Sequence, residues 1–344
     1  MLPWLVGVVP FGTMVGVTAA AASDARWDGV GGWIDSLAGL QPETRAAFGW
    51  AATNGHWELA GRIVGALGAF WHRAGGQSDA MAWAVEVRSH LDEMSVPTRG
   101  RVLTAHGLLS WHRDDQASVR RSWVESLQIH DDAGDAPRTA EALALLAIAE
   151  LDAPGRHGQA STSLDRAVEL AREVGAPGLL WEVLNVRGEF LRATGDDADA
   201  RRSYEEAASI AERIGDDASL SISLANLSYL ACHDGRFEEG RDVARRALVL
   251  CWALGRRLLS AWSVSELAGP ACGLGEHELA ARLIGASERA MEALDGHRYP
   301  ADVAEHERVV GDVLAALGRD RFERLRAEGA CLTLDEAVAL ALGE

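Results

Sequence analysis

The chain contains no lysine; all 33 of its basic residues are arginine. The codon bias of a GC-rich genome accounts for this, but the chemical consequence stands. There is no lysine for a phosphate-binding G-x-x-x-x-G-K-[ST] loop and none for a Schiff base. Positive charge is short overall, with 51 acidic residues giving a net charge of -18. Such a balance repels a phosphate backbone and argues against nucleic-acid binding. The four cysteines, Cys232, Cys251, Cys272 and Cys331, lie far apart with no C-x-x-C pair. That excludes a disulfide framework or a zinc knuckle and points to a reducing compartment. The H-E-x-x-H, G-x-S-x-G, EF-hand and G-x-G-x-x-G patterns are all missing. His56 and His72 have no carboxylate cluster beside them, and AEHE (304–307) reads as a solvated helical face. GDDAD (195–199) lacks the glycine and terminal glutamate of a calcium loop and suits a helix cap instead. No metal, no cofactor and no enzymatic activity are expected; an enzyme with an unrecognised helical-cavity site is the remote alternative.

What is present is helix-forming. The 344 residues are 48% hydrophobic, enough for a large core. The segment GDDADARRSYEEAASIAERIGDD (195–217) carries the same Gly-Asp-Asp phrase at each end. Between the two, Ala200, Tyr204, Ala207, Ala211 and Ile214 mark one helix face. Gly215 suits a helix end, and Asp216 or Asp217 suits the cap of the next helix, along which Leu220, Leu224, Leu227 and Ala231 continue. The pattern recurs. Turns at Gly75, Asp114, Gly155, Gly195, Gly235 and Gly275 are spaced 39 to 41 residues apart. A second ladder at Gly134, Gly175, Gly215, Gly255 and Gly296 interleaves with the first. The spacing predicts about six helix-turn-helix units in an all-α solenoid. Three columns in phase with the first ladder are mostly small. They are Gly68, Gly107, Ile148, Gly188, Ser228 and Ala268; Ala80, Val119, Ala160, Ala200, Gly240 and Ala280; and Val87, Ser126, Ala167, Ala207, Ala247 and Ser287. Small side chains let helix axes approach closely.

These columns resemble those of tetratricopeptide (TPR) repeats, stretched here to about 40 residues. Ile148 and Val119 depart from the pattern, and the aromatic expected near Ala231 is missing. WIDSLAGLQPETRAAFGWAATNGHWELAGRIVGALGAFWHRAGG (33–76) resembles the junction after the ATPase core of bacterial STAND-type signal-transduction ATPases, a group that includes LuxR-family and AfsR-like transcriptional regulators. LAARLIGASERAMEALDGHRYPADVAEHERVV (279–310) and LTLDEAVALALGE (332–344) resemble the end of the same helical region. The ATPase and DNA-reading motifs of that family are not in this sequence. The resemblance implies a right-handed solenoid serving as a scaffold or effector-sensing region, with a protein, peptide or small effector docking in a concave groove. A stand-alone adaptor is the alternative.

The expected organisation is an apolar segment of uncertain role over 1–32, leading helices over 33–60, repeats over 61–295 and capping helices over 296–344. Residues 2–22 carry no charge and are long enough to span a bilayer. Pro3, Pro10 and the lack of any arginine before Arg26 argue against a membrane or secretory role. The expected location is cytoplasmic, with membrane anchoring or export through this segment as the alternative. Thr333 and Glu336 predict a capping box for a closing helix. Nine of the twelve tryptophans precede residue 124, and most are expected in the core.

In a TPR-like solenoid the first helix of each pair lines the groove. The resemblance places Glu182, Asn185, Glu189 and Arg192 on that wall, with Tyr229 and His233 in the next repeat. Arg101, Thr104, Trp111 and His112 take the equivalent places earlier, Arg62, His72 and Arg73 extend the wall, and Trp262 stands at the far end. Glu182, Asn185, Glu189 and Arg192 share one helix face by their spacing. They are expected to be exposed, with Arg192 as the anchor for a carboxylate.

Overall fold

Both glycine ladders fall between helices. The computed structural model describes residues 40–344 apart from 75–76, 112–115, 152, 297 and 299, together with Trp27 and Leu37. The apolar segment 2–22 lies outside the described residues. Helix α1 (Gln41–Thr53) is followed by six pairs. These are α2 (Trp57–Ala74) with α3 (Gln77–Arg88), α4 (Val96–Ser110) with α5 (Gln116–Asp132), and α6 (Ala136–Ile148) with α7 (His157–Val174). Next come α8 (Pro177–Ala193) with α9 (Asp197–Ile214) and α10 (Asp217–His233) with α11 (Phe237–Ala253). In the last pair the first helix is broken into α12 (Arg257–Glu266) and α13 (Ala268–Gly273), which precede α14 (His277–Ala293). Three helices close the chain: α15 (Pro300–Leu317), α16 (Arg319–Ala330) and α17 (Leu334–Leu342). No strand occurs among the described residues. The fold is an all-α solenoid of TPR-like helix pairs.

The repeated Gly-Asp-Asp phrase works at both ends of α9. Asp196 caps its start by accepting from the Asp199 amide at 3.2 Å. Gly215 ends it at φ 68°, a left-handed conformation that an L side chain disfavours. Asp216 then caps α10, accepting from the Ser219 amide at 3.1 Å and the Ser219 hydroxyl at 2.8 Å. Gly134, Gly175, Gly195, Gly235, Gly255 and Gly275 share the positive φ. Two ladder positions solve the turn differently. Gly155 sits in a 3-10 turn, Pro154–Arg156, and Asp295 takes the left-handed place just before Gly296.

Every residue of the three small columns is buried. The reason is visible at the glycines. A Cβ added at Gly188 would overlap the ring of Tyr204, and one at Gly107 would overlap the indole of Trp123. In these two pairs the second helix lays an aromatic ring onto bare backbone of the first.

The chain divides into two compact units, 1–183 and 184–344, with the boundary inside α8. In the second unit Leu248, Leu259, Val264, Leu283, Ile284, Val313 and Phe322 form one apolar core. Pro270 supplies no N–H for the Glu266 carbonyl, which explains the break between α12 and α13. At the end, Thr333 and Glu336 form the reciprocal capping box, and α17 packs on α11, α12 and α14. No helix of the described residues is long and apolar enough to cross a membrane.

Gly188→Leu should lower stability by about 1–3 kcal/mol, because the added side chain has nowhere to go but into Tyr204. Gly158→Ala, at an open position in α7, should leave it within about 1 kcal/mol of wild type. Thermal melts followed by circular dichroism would check both; a Gly188→Leu melt matching wild type would show the column to be loosely packed.

Candidate functional site

In the second unit the polar stripe of α8 meets residues from two other helices, α10 and α15. Asn185 donates to Glu189 Oε1 at 2.7 Å along α8, and Asn226 of α10 donates to Asn185 Oδ1 at 3.0 Å. The hydrogen bonds thus link the first helices of adjacent repeats. One turn further on, the Arg192 guanidinium lies 4.8 Å from the centre of the Tyr229 ring and donates to Asp302 Oδ1 at 2.6 Å. The Arg192 side chain is only 3% exposed. A buried guanidinium stays charged, so it needs a carboxylate and a π face to replace water.

His233 closes the cluster at the end of α10. Its Nδ1 is 2.9 Å from Asp197 Oδ2 and its Nε2 is 3.1 Å from Glu305 Oε2. With a carboxylate at each ring nitrogen, both nitrogens donate and the imidazolium is the favoured form. The hydrogen bond to Glu305 is the main cause of a pKa raised above 6.5; burial works against it. Glu305 is mirrored. Burial would raise its carboxyl, but hydrogen bonds from His233 and Arg308 hold it down to about 2. Glu266, at the break in α12–α13, is pushed up to about 8 by burial and then by the Asp302 carboxylate. At neutral pH it holds its proton, which spares the cluster one more negative charge.

The structure corrects several expectations. Asn185, Glu189 and Arg192 are buried, not exposed: Asn226 of α10 bonds to Asn185, which bonds to Glu189, and Asp302 of α15 pairs with Arg192. Tyr229 and His233 do join Arg192, as one cluster with Asp302 and Glu305. AEHE is not wholly solvated: Glu305 is buried and ion-paired, whereas Ala304 and Glu307 are exposed. Trp111 and Thr104 are turned into their own helix pair. The Trp111 ring centre lies 4.8 Å from that of Trp123, and the Thr104 hydroxyl is 2.7 Å from Ser126 Oγ on α5. Gly107 admits the Trp123 indole, which draws both inward. In the first unit His72 is buried, Arg101 half-buried and Arg62 exposed. Glu182 is half-buried on α8, and Trp262 is half-buried against the apolar core of the second unit. Arg73 lies in α2 with no side chain described, and His112 lies outside the described residues.

Sequence reasoning missed Asp302, Glu305, Asn226 and Glu266. The first two had one available signal: acids three residues apart in the opening turns of a helix that starts at Pro300. Nothing in the sequence says what that helix covers.

Two outcomes follow. Arg192→Ala should destabilise the chain by about 1–3 kcal/mol, since it strands the Asp302 carboxylate, while Arg202→Ala on the exposed side of α9 should stay within about 0.5 kcal/mol. Denaturant titration of both variants decides this, and an Arg192→Ala midpoint equal to wild type would mean the pair contributes nothing. The second outcome concerns pH. His233, with its folded pKa raised, contributes stability that is complete below 6.5 and is lost as pH rises through the folded value. Glu305, with its folded pKa depressed, contributes stability that is present above 4.5 and is lost as pH falls toward 2. The stability difference between wild type and His233→Gln should therefore be largest between pH 4.5 and 6.5 and shrink as pH rises beyond 6.5. A difference that grows with alkalinity would contradict the assigned charge state.

No protein-family model matches the chain, and no curated protein matches it in sequence. Solved structures do match in fold. A Rap protein complexed with Competence and Sporulation Factor superposes with a TM-score of 0.64 and 15% identity, over 89% of this chain and 84% of that one. NprR in complex with its cognate peptide NprX gives 0.57 and 14%, over 94% and 89%. Both are TPR-like helical-repeat proteins, and the likeness is one of fold.

Proposed function

We propose that the chain is a non-enzymatic, peptide-sensing scaffold. A peptide or partner protein would be read by the first-helix face of its repeats, with the cluster around Arg192 in the second unit as the recognition point. The observation that carries this reading is the junction of buried Arg192 with Tyr229 and His233, residues drawn from the first helices of adjacent repeats. A guanidinium backed by an aromatic ring is suited to hold one carboxylate firmly. The fold-level likeness to Rap and NprR supports the reading, since both are described in complex with Competence and Sporulation Factor or with a cognate peptide. The resemblance of segments 33–76, 279–310 and 332–344 to STAND-type regulators supports a finer one. In it the chain is the sensing region of a LuxR-type transcriptional regulator, in which ligand binding biases an ATPase switch. A stand-alone adaptor for protein–protein interaction is the competing context, and an upstream reading frame for a nucleotide-binding domain would distinguish the two.

The test is an array of short linear peptides probed with the full chain. Retained peptides should lose signal with Asn185→Ala and His233→Ala and keep it with Arg202→Ala. An array that retains no peptide, or retains the same ones with all three variants, would overturn the assignment of this face.

A further inference from the structure

Helix α15 has one buried face. Asp302, Glu305, Val309 and Val313 are spaced 3, 4 and 4 residues apart, and each is directed at the repeats. Asp302 meets Arg192 of α8 and Glu305 meets His233 of α10. Val309 approaches Gly269 of α13, where a Cβ would stand 3.7 Å from Val309 Cγ2. A single helix thus touches the first helices of three successive repeats in the second unit.

The two halves of α15 are held by different means. Val309 and Val313 belong to the apolar core shared with α14 and α16. That contact suffices to cap the last repeat, in the way solenoids cover their final face. Toward α8 and α10 the opening turns present only carboxylates, set against Arg192 and His233 with Arg308 beside Glu305, while His306 pairs with Glu288 of α14. As a way to fix a helix this is inefficient. Desolvating two charges roughly cancels their attraction, and apolar residues of the same size would hold it as well or better. Carboxylates are, however, what a site built from a guanidinium and an imidazolium selects, and ion pairs exchange partners without leaving an apolar surface in water.

We propose that the first turns of α15 fill this site as an internal ligand, and that its external ligand is an acidic helical segment presenting two carboxylates three residues apart. This rests on the peptide-sensing reading above and names the chemistry of what is sensed. The incoming segment would place one carboxylate on Arg192 and the other on His233, and release residues 300–306 while Val309 and Val313 stay docked. The chain's net charge of -18 opposes any acidic partner at long range. At physiological salt that field is screened beyond ~8 Å, which leaves selection to the local cations.

The probe is a fluorescein-labelled synthetic peptide of residues 300–317, titrated into the full chain at physiological salt and followed by anisotropy. Asp302→Asn with Glu305→Gln in the protein should empty the internal claim on the site and tighten peptide binding at least about tenfold over wild type. The peptide carrying the same two replacements should not bind, and adding Arg192→Met to the protein should abolish the gain. Hydrogen exchange should accelerate at residues 301–306 of the double variant and not at 309–317. If the double variant fails to fold, Asp302→Asn alone replaces it and should show a smaller gain in the same direction. Binding no tighter than wild type overturns the proposal, as does equal binding of the neutral peptide. If the peptide array retains only uncharged or basic sequences through Asn185 and His233, the sensing reading stands and the acidic ligand is excluded.

Discussion

A helix can lie close against its neighbour only where one of the two presents almost no side chain, and this constraint underlies everything else in the chain. At Gly188 and Gly107 the backbone of a first helix receives the Tyr204 or Trp123 ring of the second directly. At Gly68 an added Cβ would overlap Ala105 of the following repeat. Once the inner surface of a pair is so thin, its remaining residues are sorted. Large apolar side chains fill the flanks, and polar ones are driven to the face of the first helices. One turn from Arg192, Gly188 leaves no room for a side chain against the Tyr204 ring.

The missing lysines take on meaning at the same place. Arg192 must reach Asp302 with one edge and cover the Tyr229 ring with its plane. A planar, delocalised cation does both; a compact ammonium would do one and remain poorly solvated. Elsewhere the arginines tie one repeat to the next along the second helices, as in Arg166 with Asp131, Arg201 with Asp234, Arg241 with Glu276 and Arg246 with Glu212. Pairs this exposed are worth at most about 1 kcal/mol each. Arg192 differs by being desolvated, so its partner matters far more.

The helix pairs were legible in the sequence because the information for them is local. A glycine that needs positive φ, an aspartate that caps and a small residue at fixed phase all act within a few residues or within one repeat. The capping box at Thr333 and Glu336 was legible for the same reason. The surroundings of Arg192 were not. A polar stripe on a helix reads alike whether water or another helix covers it, and the acid that covers this one lies 110 residues away. Trp111 and Thr104 failed differently. Their place in the repeat matched the groove wall, but an indole inserted at Gly107 rotated their contacts into the pair. Composition shows that a tryptophan will be buried; it does not show which neighbour will claim it.

The separation between Arg192 and Asp302 also orders events in time. The inter-repeat bonds that hold this solenoid join residues about 33 to 41 positions apart, as in Arg201 with Asp234 and Asn226 with Asn185. Such contacts form early, because little chain must be closed to make them. The contact at 110 residues cannot precede the repeats it crosses: α8, α10 and α13 offer no common surface until they have stacked. Docking of the opening turns of α15 on Arg192 and His233 therefore follows the stacking of those repeats. By microscopic reversibility these turns can open while the repeats beneath them remain stacked, which leaves that unit a partly undocked species with its repeats intact.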